Sequence, residues 1–251
     1  MDRTPPQIFS RRLVDAKFAR SRSRQAAPGA ASYLAELLAD DVIERLGFMR
    51  LEPSRALLVG DMTDRLALWL EEMRAVVDTH GIDHFNAEVP GPPARYDLMV
   101  HLLGLGMVND LPGALIHAHA MLGKGGLMIA TFPGAGSLPA LRQIALAADG
   151  EQPAARIHPL VDSRAGAALL QRAGFSRQVV DSYPVRVRFA TFDRMVADLR
   201  DHGLTGSLTS PAPMLTRDWL DRARQAFDTL REDDGKVTET FEILVMTGWK
   251  S

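Results

Sequence analysis

Gly60, Asp61, Asp78 and His101 are the residues whose types and spacing could do chemistry. Three apolar residues, Leu57, Leu58 and Val59, run into Gly60. A helix-like run (Leu66, Leu68, Trp69, Leu70, Met73) follows, and Asp78 stands 18 residues beyond the glycine. Strand, turn, helix and strand-end acid, in that order, make a site for a nucleotide-type cofactor. The glycine lets the ligand approach the backbone, and an acid about 20 residues on accepts hydrogen bonds from ribose hydroxyls. Only one glycine of such a turn is present: Met62 and Asp64 occupy the places of the next two, where side chains obstruct or repel.

Each candidate has a second reading. Asp78 is either a ribose acceptor or a solvated strand end. Asp61 and Asp64 either contact a cofactor or cap the helix that follows, whose N-terminus favours carboxylates. His101 lies in an apolar run beside the expected cleft, as a base or as a satisfied core residue. Tyr183, Arg186 and Arg188 either line a substrate mouth or form the wet face of a strand. His117 and His119 are two apart on a helix and point in different directions, so no shared metal is expected, and no catalytic residue is singled out.

The elements that must position these groups follow from apolar spacing and breakers. Ile8, Phe9, Leu13 and Phe18 predict a first helix after an extended Pro5-Pro6 lead-in, and residues 32–46 predict a second, with Gly47 as its stop. Strands are expected at 55–59 and 75–78. Residues 79–95 contain Gly81, Pro90, Gly91, Pro92 and Pro93 and are too few for an ordinary helical crossover. The helix there is predicted to be missing, with a stunted third strand at 85–89. A strand buried on both faces is expected at 96–103, then a helix capped by Asp110 with Pro112 in its first turn, then a strand at 127–132. Helices follow at 138–148 and 163–173, a strand at 177–189 bent at Pro184 or split there, helices at 192–201 and 217–230, and a last strand at 237–247 able to pair antiparallel.

Together these predict an α/β fold, an open, mostly parallel sheet with helices on both faces and an antiparallel C-terminal strand, forming one domain over residues 1–251. Residues 1–50 form an N-terminal helical pair, and 133–176 and 190–232 are helical insertions or a lid. Ligands in such sheets bind beyond the carboxyl ends of the strands, so Gly60, Asp61, Asp78, His101 and the 104–110 loop are expected to gather there.

Composition narrows the function classes. The 251 residues include no cysteine, which excludes thiol catalysis, disulfides and cysteine-ligated metals. A net charge of -2 offers no general attraction to nucleic acid. Six basic residues between Arg11 and Arg24 against the single acid Asp15 either face solvent or meet a local anionic partner. No apolar run reaches membrane-spanning length and the start lacks the order of a secretory signal, so the cytoplasm is the expected location.

Longer stretches carry a family likeness: Pro5-Pro6-Gln7-Ile8-Phe9, Val108 through Leu115, Leu138 through Gln143, Leu169 through Phe175, Thr240-Phe241-Glu242-Ile243 and Thr247-Gly248-Trp249. With these, the chain resembles a class I S-adenosylmethionine-dependent methyltransferase, of Rossmann-like fold. It is most similar to bacterial relatives of the complex I assembly factor that hydroxylates an arginine, and more distantly to the malonyl-acyl-carrier-protein methyltransferase of biotin synthesis. The resemblance implies S-adenosylmethionine as cofactor, a protein substrate or partner, and a role in assembling a respiratory complex. The departures fall on the cofactor side. Leu58 replaces an acid, Asp61-Met62-Thr63-Asp64 replaces the glycine-rich turn, Gly106-Met107 replaces an aromatic pair, and 79–95 is contracted. The expected function is therefore that of a methyltransferase-family protein with a degraded cofactor loop, or of a non-catalytic relative serving as a binding or assembly factor.

Overall fold

A computed structural model describes residues 6–210 and 212–251. Pro5, half of the expected lead-in and the first residue of the likeness at the start, lies outside them. The described chain contains α1 (Arg11–Gln25), α2 (Tyr33–Met49), β1 (Arg55–Val59), α3 (Arg65–Glu72), β2 (Val76–His80), β3 (Tyr96–Leu102), α4 (Leu111–Met121), β4 (Leu122–Pro133), α5 (Pro139–Asp149), α6 (Ser163–Arg172), β5 (Ser176–Phe189), α7 (Phe192–Asp201), α8 (Arg217–Asp228) and β6 (Val237–Trp249). The six strands form one sheet in the order β2-β1-β3-β4-β6-β5. The first four run parallel, and β6 runs antiparallel to both neighbours.

Ala56 through Val59 and Leu98 through Val100 are at most 2% exposed, as their unbroken apolar sequence demands of strands covered on both faces. Each fully buried leucine there contributes roughly 1.5–3 kcal/mol relative to exposure. The β1-α3-β2 connection moves toward one edge of the sheet and β3-α4-β4 toward the other, so right-handed crossovers set α3 and α4 on opposite faces. α2 packs with α3, and α4 with α6. α1, α7 and α8 pack in succession, with α5 against α8, and Phe18 and Leu199 join the common core.

Between β2 and β3 the only regular piece is a 3-10 turn at Ile82–His84, in keeping with the short sequence. The expected strand at 85–89 does not form, because the chain turns at 87–89 and Val89 N–H donates back to the Asn86 carbonyl at 3.2 Å. β2 is therefore the edge strand. Gly47 does not stop α2. The helix passes through it to Met49, and Arg50 makes the left-handed turn (φ 51°), its N–H donating to the Gly47 carbonyl at 3.1 Å. Ile8 and Phe9 precede α1 as extended backbone, Phe9 bridging to Leu208, rather than sharing its face. β5 continues through Pro184 because it too is an edge, where a missing N–H costs little.

Candidate functional site

The carboxyl edge of β1 ends in Gly60, at φ +86°. A Cβ added there would collide with the Leu102 carbonyl oxygen of β3 and would lie 3.1 Å from Ile82 Cδ1. Glycine is required by this close approach of two strand ends and by the left-handed backbone. Ile82 itself is buried, and a Cβ on Gly104 would meet its Cγ1 at 3.3 Å, so its side chain wedges between the two glycines. No apolar pattern around position 82 marks it, which is why sequence reasoning passed over it.

The turn after Gly60 is built as a helix start. The Asp61 carboxylate accepts from the Ala67 N–H at 2.9 Å, which satisfies one of the unpaired donors of α3. Burial pushes its pKa up from the ordinary carboxylate value, against the pull of the backbone amides. Asp64 is the N-cap residue, in a left-handed conformation (φ 56°), and its side chain makes no cap hydrogen bond. Met62 lines the space beside Gly60, but the side chain pressed on the glycine is Ile82.

α1 lies across this edge. Arg22 pairs bidentately with Asp83 at 2.7 Å for both bonds, and a Cβ on Gly81 would fall 2.6 Å from Asp83 Oδ1 and 2.7 Å from Arg22 Nη1. Arg11 Nη2 donates to the Ile82 carbonyl at 2.9 Å and to that of Phe85 at 3.0 Å. Arg24 is held by Asp201 at 2.6 Å. Three of the six basic residues thus tie α1 to its own protein rather than facing outward. What remains over Gly60 is a cavity of about 270 Å³ bounded by Phe18, Arg22, Met62, Ile82 and Asp83.

Asp78 sits elsewhere. It pairs in register with Leu57, two residues before the end of β2, where His80 accepts the Gly60 N–H at 2.9 Å. Its carboxylate accepts from Arg55 Nη2 (3.0 Å), Arg95 Nη2 (3.2 Å) and Tyr96 Oη (2.9 Å). The hydrogen bonds from Arg55 above all hold it below the usual carboxylate range. Asp78 borders an open cleft of about 690 Å³ along the free edge of β2, with Val77, Arg95, Tyr96 and Met121. Gly60 and Asp61 do not line that cleft, and Asp78 does not line the space above Gly60. Thr79 and His80 border both spaces, so the expected contacts are spread over two adjoining recesses along β2.

His101 lies in β3 beside Val59 and is 2% exposed. Neither ring nitrogen has a protein partner; the ring meets Phe85 edge-on at 5.4 Å between centroids. Burial alone pushes its pKa down to about 3, so the imidazole is neutral. It lines neither the cleft beside Asp78 nor the space above Gly60. Tyr183 lies on the inner face of β5 and packs against the core, while Arg186 and Arg188 share the outer face, Arg188 pairing with Asp234 at 2.5 Å. Among the described residues no cluster of histidine, aspartate and glutamate could hold a metal, and no helix is long and apolar enough to cross a membrane.

Known proteins share this architecture. The cyclase SpnF superposes with a TM-score of 0.53 at 15% identity, covering 99% of each chain. The 1,6-didemethyltoxoflavin-N1-methyltransferase of Burkholderia thailandensis, solved with S-adenosylhomocysteine, gives a TM-score of 0.51 at 15% identity over 96% of this chain and 88% of its own. In sequence, the mitochondrial arginine-hydroxylase NDUFAF5 of Danio rerio is 28% identical over 87% of this chain and 65% of its own. The human protein of that name is 31% identical over 64% of this chain and 48% of its own. The chain thus spans about half to two thirds of the length of these relatives. The malonyl-acyl-carrier-protein O-methyltransferase of Halorhodospira halophila is 27% identical over 97% of this chain and 89% of its own. The profile of the methyltransferase domain matches residues 22–179, more than half of the sequence, and with the sheet described above it shows that the chain belongs to the S-adenosylmethionine-dependent methyltransferase family.

Proposed function

We propose that this chain is a methyltransferase-fold protein with a degraded cofactor loop, acting with a protein partner as a binding or assembly factor rather than turning over S-adenosylmethionine. One observation carries the reading: Ile82 and the Arg22–Asp83 pair occupy the ground above Gly60 that a nucleotide-type ligand would need. The residual 270 Å³ falls below the roughly 300–1,000 Å³ of small-molecule sites. Asp61 takes up a helix-terminal donor, and Asp78 is neutralised by two arginines outside that space. These residues do not fit the cofactor.

Fold membership does not oppose this reading, since one scaffold hosts several chemistries. Among the chains similar to this one are proteins named as a cyclase, an arginine-hydroxylase and methyltransferases. The malonyl-acyl-carrier-protein enzyme is named for a protein-borne substrate, which supports a protein partner here. Assembly of a respiratory complex is the role that similarity to the arginine-hydroxylases suggests.

A thermal-shift titration with S-adenosylmethionine tests the proposal. A working pocket at one hundred times its dissociation constant stabilises by about 2.7 kcal/mol, a rise of roughly 5 °C or more for a chain of this size. The expected result is a flat curve up to millimolar ligand. A saturable rise that disappears in Gly60→Ala or in Asp61→Ala, with the variant still folded, would overturn it.

A further inference from the structure

A third cavity, of about 590 Å³, lies between α5, α7, α8 and residues 204–208 and 212–215. Leu141 and Ala145 of α5, Val196 and Leu199 of α7 and Leu220 of α8 are among its walls. The volume is in the range of small-molecule sites and the lining is overwhelmingly apolar. Apolar side chains also stand exposed beside it: Met214 is 88% exposed and Leu215 47%. Such a surface is costly to leave in water, and it marks a place where something apolar binds.

The charges at its border select the ligand. Arg156 is spoken for, held by Asp149 at 2.6 Å and lying over the Trp219 ring at 4.6 Å. Asp193 is held by Arg224 at 3.0 Å. Among the described residues, Arg200 has no carboxylate within ion-pair distance. Lys17 of α1 is near enough to Arg200 to feel its charge; burial above all, then repulsion from Arg20 and Arg200, holds the Lys17 ammonium below its ordinary range. His158, the remaining titratable group on the wall, is occupied through Nδ1 with the Pro159 carbonyl at 2.9 Å and lies against Phe9. An apolar chamber with one uncompensated arginine at its border, backed by the Lys17 ammonium, calls for a ligand with a long apolar body and a single anionic end.

We propose that this cavity binds an acyl chain ending in a carboxylate, the chain between α5, α7 and α8 and the carboxylate at Arg200. The site is separate from the space over Gly60, so the proposal stands whether or not S-adenosylmethionine binds.

The test uses the full chain, with dodecanoate below its micelle concentration and dodecanol as the uncharged control, followed by calorimetry and thermal shift. One dodecanoate per chain is expected to bind and raise Tm. Ala145→Phe, which fills the chamber from α5, is expected to weaken both probes by about tenfold or more. Leu220→Phe serves the same purpose from α8 if Ala145→Phe does not fold. Arg200→Gln is expected to weaken dodecanoate about tenfold while leaving dodecanol unchanged. No saturable binding, a stoichiometry well above one, or affinity untouched by a folded cavity-filling variant would overturn the site. Equal loss of both probes, or no loss, in Arg200→Gln would overturn the anionic end.

Discussion

His101 shows how far a single side chain can be from the role its position suggests. A buried imidazole with both nitrogens unbonded costs about 1–3 kcal/mol relative to a satisfied or apolar group. Its folded pKa of about 3 lies below the ordinary 6.5, so the unfolded chain takes up the proton first as the solution is acidified. The stability tied to the neutral ring is complete above pH 6.5 and is lost progressively as pH falls toward 3. His101→Leu is therefore expected to raise the urea midpoint at pH 7 and to widen its advantage at pH 5. An unchanged difference between the two pH values would refute the assignment. The sequence placed His101 in a buried strand, as a base or a satisfied core residue; the ring is buried there, with neither nitrogen satisfied. The sequence could not show that Arg55 and Arg95 converge on Asp78, because those contacts depend on the pairing of β1, β2 and β3. Nor could it show Ile82, a single apolar residue in a loop, reaching across to Gly60.

At the scale of elements, chain length proved the stronger signal and individual breakers the weaker. Seventeen residues between Asp78 and Tyr96 left no room for a crossover helix, and none forms. The strand expected at 85–89 was lost to a local turn, which needs fewer residues than a ladder with a distant neighbour. Asp110 caps α4, accepting from the Gly113 N–H at 2.9 Å, as its spacing implied. Gly47 misled because a glycine inside a helix costs only about 1 kcal/mol relative to alanine, which does not prevent α2 from running two residues further, to Met49. The true stop, Arg50, has left-handed backbone and an exposed side chain. Arg50→Gly is expected to stabilise by about 0.5–1 kcal/mol, read as a higher denaturant midpoint with an unchanged slope. A loss would show that the arginine makes a contact worth more than the backbone relief.

For the whole molecule, the α/β class and the mostly parallel sheet with its antiparallel last strand were legible because each strand announced its environment, continuous where buried on both faces and alternating in β5 at the edge; the strand order itself was not. The closure of the carboxyl edge by α1 was not legible. The arginines that fasten it look the same in sequence as a solvated face, and their partners lie some 60 to 180 residues away. Phe18 and Val14 of α1 belong to the same core as the strands, so α1 should unfold with the sheet and not before it. Far-UV circular dichroism and the fluorescence of Trp69, Trp219 and Trp249 are expected to give one coincident transition. Phe18→Ala should shift both together, at a cost of about 3 kcal/mol. An early helical phase that leaves the tryptophans unmoved would make α1 an independent flap.

The glycine that first drew notice is held in place by carpentry. Because two strand ends cross so closely at Gly60, a lineage that had abandoned every nucleotide would still be barred from replacing it. Its presence needs no ligand to explain it, and restoring the neighbouring glycines by mutagenesis would give back a familiar-looking motif with Ile82 and the Arg22–Asp83 pair still standing over it.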